Sequence, residues 1–254
     1  MKNKKRMGRI EVLELRFNVP EILKTAGQRL SAALVLGLVL GLGSTAQACR
    51  QALVLAIDVS ASVSTPEYLL QRDGLVRALR DPQVADWMIG ATGAEVDLLV
   101  FEWGGQTHQR IWVDWTRITD PGVLGTVADR VSRVQRSSEG ESTGLGTALL
   151  FGAQQLATRR NCSMKTIDVS GDGKNNVGPR PRDVHARLEA EGVTVNALVV
   201  ATRDVAELTA YFQAEVILGP NSFIETAGGF EDYARAIKRK MLRELVPGLA
   251  ALQR

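Results

Sequence analysis

Within the stretch Ala52–Ser64, read ALVLAIDVSASVS, an apolar run from Leu53 to Ile57 stops at Asp58. Hydroxyls follow at alternate positions, Ser60 and Ser62. One carboxylate and two hydroxyls are hard oxygen donors, the type that Mg²⁺ takes. A second carboxylate, Asp172, follows the run KTIDVS (Lys165–Ser170) and stands between Gly171 and Gly173. A third polar segment, RSSEGEST (Arg136–Thr143), ends on Thr143 just before Gly146-Thr147-Ala148-Leu149. Asp58, Ser60, Ser62 and Asp172 therefore form a candidate metal site, for Mg²⁺ or Mn²⁺, and Thr143 can give a further neutral oxygen. A serine hydrolase would lack a base. The only histidines are His108 and His185, both read as surface residues, and the chain has no Gly-x-Ser-x-Gly elbow, Cys–His pair, phosphate loop or zinc cluster.

These donors need strand ends to hold them. A short apolar run followed by small residues reads as a buried parallel strand and a tight loop. Glu95–Trp103 (EVDLLVFEW) and Val193–Val200 are further apolar strands. His108–Trp115 alternates, with Gln109, Ile111, Val113 and Trp115 on one side and Arg110, Trp112 and Asp114 on the other, as a half-exposed edge strand would. Short extended pieces are expected at 216–218 and 222–226. Helices are expected from Thr65 to about Arg80, from Thr119 through Val134, over Leu145–Thr158, Pro181–Glu191, Asp204–Phe212 and Phe230–Leu245. Ser64–Glu67 has capping-box spacing, and Asp81-Pro82 reads as a stop. Alternating strands and helices imply an α/β fold: a doubly wound, mostly parallel six-stranded sheet with one antiparallel edge strand and helices on both faces. Ligands of such sheets sit beyond the carboxyl ends of the strands, where Asp58 and Asp172 both fall.

Residues 1–48 stand apart. Eight Lys and Arg lead into the apolar Ser31–Gly43, and Ala46-Gln47-Ala48 has the form of a cleavage site. Together these read as a signal peptide of an exported protein, periplasmic or extracellular. An uncleaved membrane anchor is the alternative reading, and Cys49 directly after the site admits a lipoprotein reading. The domain is then 49–247, with a short tail at 248–254. The whole chain has 31 basic and 28 acidic residues, net +3. Setting aside the eight basic and three acidic residues of 1–48 leaves 23 and 25, net −2. The basic character belongs to the leader, and nucleic acid is not an expected partner.

The three segments resemble the metal-ion-dependent adhesion site of the von Willebrand factor type A (vWA) family. Asp58-Val59-Ser60-Ala61-Ser62 matches its Asp-x-Ser-x-Ser motif, Thr143 before Gly146-Thr147-Ala148-Leu149 matches its second, and Asp172-Gly173 its third. The resemblance covers about residues 50–245. The wording of ALVLAIDVSASVS, IDVSGDGKNN and GGFEDYARAIKRKMLREL is similar to a bacterial exported subfamily with no assigned function. The resemblance implies a protein–protein interaction module, not an enzyme, in which a partner's acidic side chain completes the metal's coordination. Glu139 and Glu141 depart from the usual glycine-rich loop. The competing reading is a metal-dependent hydrolase or phosphoesterase with Asp58 as nucleophile. Haloacid dehalogenase-type phosphatases resemble this strand loop but place a second Asp where Ser60 stands.

The cysteines, Cys49 and Cys162, lie nine residues before Asp58 and ten before Asp172. In a sheet of order 3-2-1-4-5-6 they fall at the amino ends of neighbouring strands, so a Cys49–Cys162 disulfide is expected. Asp168, mid-strand, is expected as a satisfied buried carboxylate, and Asn175 and Asn176 as turn residues. Lys238, Arg239, Lys240 and Arg243 are expected to form a solvated helix face.

Overall fold

The strand that ends at Asp58 is central because it is apolar on both sides. In the computed structural model, which describes residues 49–90, 95–136, 142–201 and 204–245, β1 (Cys49–Asp58) is flanked by two parallel neighbours. They are β2 (Val96–Trp103) and β4 (Cys162–Gly171). The six-stranded order is β3-β2-β1-β4-β5-β6, with β3 (Gln109–Ile118), β5 (Val193–Val200) and β6 (Ile224–Ala227). Only β3 runs antiparallel. The segment read as a signal peptide (1–48), the tail, and Glu139 and Glu141 lie outside the described residues.

Alternation within β1 splits the core into two layers. Leu53, Leu55 and Ile57 face α1 (Thr65–Leu79), α2 (Pro82–Ile89), α3 (Pro121–Ser132) and α7 (Tyr233–Leu245). Ala52, Val54 and Ala56 face α4 (Leu145–Leu156), α5 (Pro181–Ala190) and α6 (Val205–Glu215). The small residues on the second side admit α4 closely: a Cβ on Gly152 would come within 2.9 Å of Ile167 Cδ1.

Three expectations change. Asp81-Pro82 does end α1, but it also starts α2: the Asp81 carboxylate accepts from Gln83 N at 3.0 Å, and Pro82 takes the first helical turn, where no N–H is needed. The strict alternation on β3 fails. Leu98 pairs with Thr116, Val100 with Val113 and Phe101 with Ile111, so β3 carries two extra residues. The bulges turn both Trp112 and Val113 inward.

The basic residues of α7 do not share one face. Lys238 pairs with Asp81 (2.7 Å) and Arg239 with Glu225 (2.7 Å), both near the surface. Lys240 is wholly buried, because it falls one helical turn from Ile237 and two from Tyr233 on the packed side. It pairs with Asp168 Oδ1, whereas the buried Asp168 Oδ2 receives no hydrogen bond, so the expected satisfied carboxylate is only half satisfied.

Cys49 and Cys162 are Cα partners in the β1–β4 ladder and are joined by a disulfide, S–S 2.07 Å. It lies at the amino ends of those strands, opposite the loops that carry Asp58 and Asp172.

Candidate metal centre

Three loops meet above the carboxyl ends of β1 and β4. The first leaves β1 at Asp58. Val59 N donates to Trp103 O (2.8 Å) and Val63 N to Ser60 O (3.0 Å), which closes a tight turn through the two serines. Gln71, buried on α1, donates to Asp58 O at 2.9 Å and holds the turn down. Within the turn, Ser60 N donates to Asp58 Oδ1 (2.8 Å), and Ser60 Oγ lies 3.1 Å from Ser62 Oγ. The second loop leaves β4. Ser62 Oγ donates to Asp172 Oδ1 (2.5 Å), and Asp172 N donates to Asp58 Oδ2 (3.4 Å).

Thr143 arrives from a third, distant segment. Its N donates to Asn176 Oδ1 (2.8 Å), and its carbonyl accepts from Asn176 N (2.9 Å). Asn175 Oδ1 accepts from Gly146 N, 3.1 Å away, in the first turn of α4. The approach is so close that a Cβ on Gly146 would stand 2.1 Å from Pro179 O. That contact is the physical reason for glycine in the Gly-x-Ala-Leu segment. Asn175 and Asn176 are thus more than turn residues: their side chains clamp the Thr143 loop against the loop after β4. Their adjacency to Asp172-Gly173 was the only hint in the sequence. The convergence is direct at Gly173, where an added Cβ would lie 3.9 Å from both Ser62 Oγ and Thr143 Oγ1.

Asp58 is 1 % exposed, and Ser60 and Thr143 are buried, whereas Ser62 is exposed and Asp172 half-buried. Burial, and then the charge of Asp172, push the Asp58 carboxyl up to about 7, against the hydrogen bonds from Ser60. Burial likewise raises Asp172, and the Ser62 hydroxyl opposes it. Among the described residues, no cation is among the groups acting on either carboxylate. Two converging carboxylates with three hydroxyls and no counter-charge fit a divalent cation.

A second feature, missed in the sequence, stands beside the site. Glu102 of β2 is fully buried and accepts from Trp112 Nε1 (2.8 Å) and from Arg110 Nε (2.8 Å) and Nη2 (3.1 Å). His108 Nε2 lies 3.0 Å from its Oε1. His108 is therefore engaged with Glu102, and His185 is on α5; neither is bonded to Asp58. Among the described residues, one group of three His, Cys, Asp or Glu ligand atoms lies within 4.8 Å: Cys49, Asp97 and Cys162. It sits at the opposite end of β1, and its two sulfurs are spent in the disulfide.

A family profile described as "Protein of unknown function (DUF1194)" matches residues 48–248. The chain belongs to the DUF1194 family. A search of curated protein sequences found no match. Among solved structures, this DUF1194 domain is similar to proximal thread matrix protein 1 of the mussel byssus. The TM-score is 0.57 at 17 % identity, over 76 % of this chain and 48 % of that one. A form of the same mussel protein with a zinc-occupied MIDAS motif, the metal-ion-dependent adhesion site, also gives 0.57, at 16 %. The pilus adhesin SpaC of Lactobacillus rhamnosus GG gives 0.54 at 12 % identity, over 78 % of this chain and 30 % of that one. A von Willebrand factor type A protein from Catenulispora acidiphila gives 0.54 at 16 %, over 78 % and 43 %. The chain spans less than half the length of each of these proteins. At these identities the likeness shows the fold alone, a vWA-like α/β fold.

Proposed function

We propose that this DUF1194 protein is an exported, metal-dependent protein–protein interaction module. Asp58, Ser60, Ser62, Thr143 and Asp172 would hold Mg²⁺ or Mn²⁺, directly or through water. The ion, when bound, supplies an open coordination position for a carboxylate oxygen. The rest of the work falls to the chain: Gln71 and the Val59–Trp103 bond fix the first loop, and Asn175 and Asn176 fix the Thr143 loop. The partner is then a protein that presents an Asp or Glu side chain. In this reading residues 1–48 are a signal peptide, 49–247 the interaction domain and 248–254 a tail. Membrane contact arises only if the first segment stays attached. The Cys49–Cys162 disulfide supports an oxidising destination.

The observation that carries this reading is the meeting of Ser62, Thr143 and Asp172 around Gly173, beside a buried Asp58 that no cation among the described residues balances. The test is thermal melting with Mg²⁺ or Mn²⁺ against chelator. At a hundred times Kd a bound ion adds about 2.7 kcal/mol of stability, and Asp58→Ala should abolish the difference. Metal-dependent capture of an envelope protein, lost in Asp58→Ala, supports the partner reading. An unchanged melting curve in metal and chelator removes it, and phosphoester turnover lost in Asp58→Ala replaces it with hydrolysis.

A further inference from the structure

A cavity of about 300 Å³ opens at the other end of the sheet, on the α7 side. Its polar lining includes Gln51, Thr166, Thr194 and Asn196 from β1, β4 and β5, and Arg243 and Glu244 from α7. All four strand residues point to the same face by alternation. Gln51 is 2 % exposed, Asn196 4 % and Thr166 5 %. Uncharged amide and hydroxyl groups at that depth need partners. Gln51 Nε2 has two, donating to Thr166 Oγ1 at 3.0 Å and to Glu244 Oε1 at 3.5 Å, whereas its Oε1 receives no hydrogen bond. Asn196 Oδ1 is taken by Phe223 N (3.0 Å).

The charges are uneven. Arg243 lies over the Phe223 ring, 4.1 Å from its centroid, and its buried Nε has no acceptor. Lys165, also in the lining, turns its Nζ to Glu191 O at 3.2 Å. Lys240 Nζ sits behind Glu244, 3.6 Å from its Oε2, and is matched by Asp168. Burial, more than any neighbouring charge, pushes the Glu244 carboxyl up to about 8. Among the described residues the cavity therefore presents one guanidinium in no ion pair and one deep amide oxygen without a donor. A carboxylate suits the first, by the planar fork of Arg. A hydroxyl suits the second.

We propose that this cavity is a second binding site, for a small hydroxycarboxylate, with Arg243 holding the carboxylate and Gln51 accepting from the hydroxyl. It is independent of the metal site and of the function proposed for it.

The test is calorimetric titration of the full chain in chelator, so that no carboxylate can bind through a metal. The probes are lactate, malate and gluconate, with acetate and glycerol as controls lacking one of the two groups. The expected result is saturable binding of a hydroxycarboxylate at least tenfold tighter than acetate or glycerol, weakened tenfold or more in Arg243→Gln and unchanged in Asp58→Ala. Absence of saturable binding by all three probes overturns the proposal. So does equal binding by Arg243→Gln, or loss in Asp58→Ala. Should Arg243→Gln fail to fold, hydrogen exchange on the unsubstituted protein decides. Protection by the tightest probe at residues 193–196 and 240–245 supports the site, and protection elsewhere or nowhere overturns it.

Discussion

Lys240 Nζ lies 2.5 Å from Asp168 Oδ1, and both side chains are buried between α7 and the sheet. The pair fastens the closing helix to β4, the strand that delivers Asp172. Removing one partner strands the other charge away from water. Lys240→Met alone should cost about 3–5 kcal/mol, and Lys240→Met with Asp168→Leu should recover most of that, as read from urea unfolding midpoints. A double variant no better than the single one would show that the two charges act separately.

Glu244, in the same cluster, sets a pH dependence. Its carboxyl is pushed up to about 8 in the fold by burial, against an ordinary value of 4.5. Between those two values the folded chain keeps a proton that the unfolded chain has lost. Stability is therefore full below about 4.5 and falls as pH rises, by at most about 1.4 kcal/mol per pH unit, until it levels off above about 8. Glu244→Gln should flatten this part of the melting-temperature profile. A profile unchanged by the substitution would assign the slope to other groups.

Asn176 offers a test of how the proposed metal ligands are held. Its side chain accepts from Thr143 N, yet it is not itself among the five donors. Asn176→Ala should weaken Mn²⁺ or Mg²⁺ binding by about 10- to 100-fold, the usual effect of losing an outer partner of a metal ligand. Its cost in stability should be only about 1 kcal/mol. Calorimetric titration and chemical denaturation of the same variant separate the two effects.

The disulfide closes a loop between positions 113 residues apart. Cys49→Ala with Cys162→Ala should lower unfolding free energy by about 2–4 kcal/mol, and a reducing agent should bring the natural protein to the same midpoint. Both thiols reacting with an alkylating agent before reduction would contradict the bridge.

Sequence made the first loop of the site readable because Asp58, Ser60 and Ser62 are contiguous and stand where an apolar strand stops. Thr143 was readable only through the segment after it, since a lone threonine in a polar loop carries no mark. The cysteine pairing was legible because strand order made two distant positions neighbours. What stayed hidden depends on long-range partners. The asparagine clamp needs Thr143 to arrive from 33 residues away. Lys240 reads as surface by type, although its spacing from Tyr233 and Ile237 is that of the packed face. Glu102 lies inside an apolar strand, and its partners come from β3, where bulges that no local pattern announced bring Trp112 inward.

The sulfur bridge also has a mechanical meaning. If tension were applied before Cys49 and at the carboxyl end, the load would pass from Cys49 straight to Cys162, and the ring of chain between them would carry none of it. Asp58, Ser60, Ser62 and Thr143 all lie inside that shielded ring, whereas Asp172 lies beyond it. Pulling would peel away Asp172 first, and a grip made by all five donors would fail there while the other four kept their places.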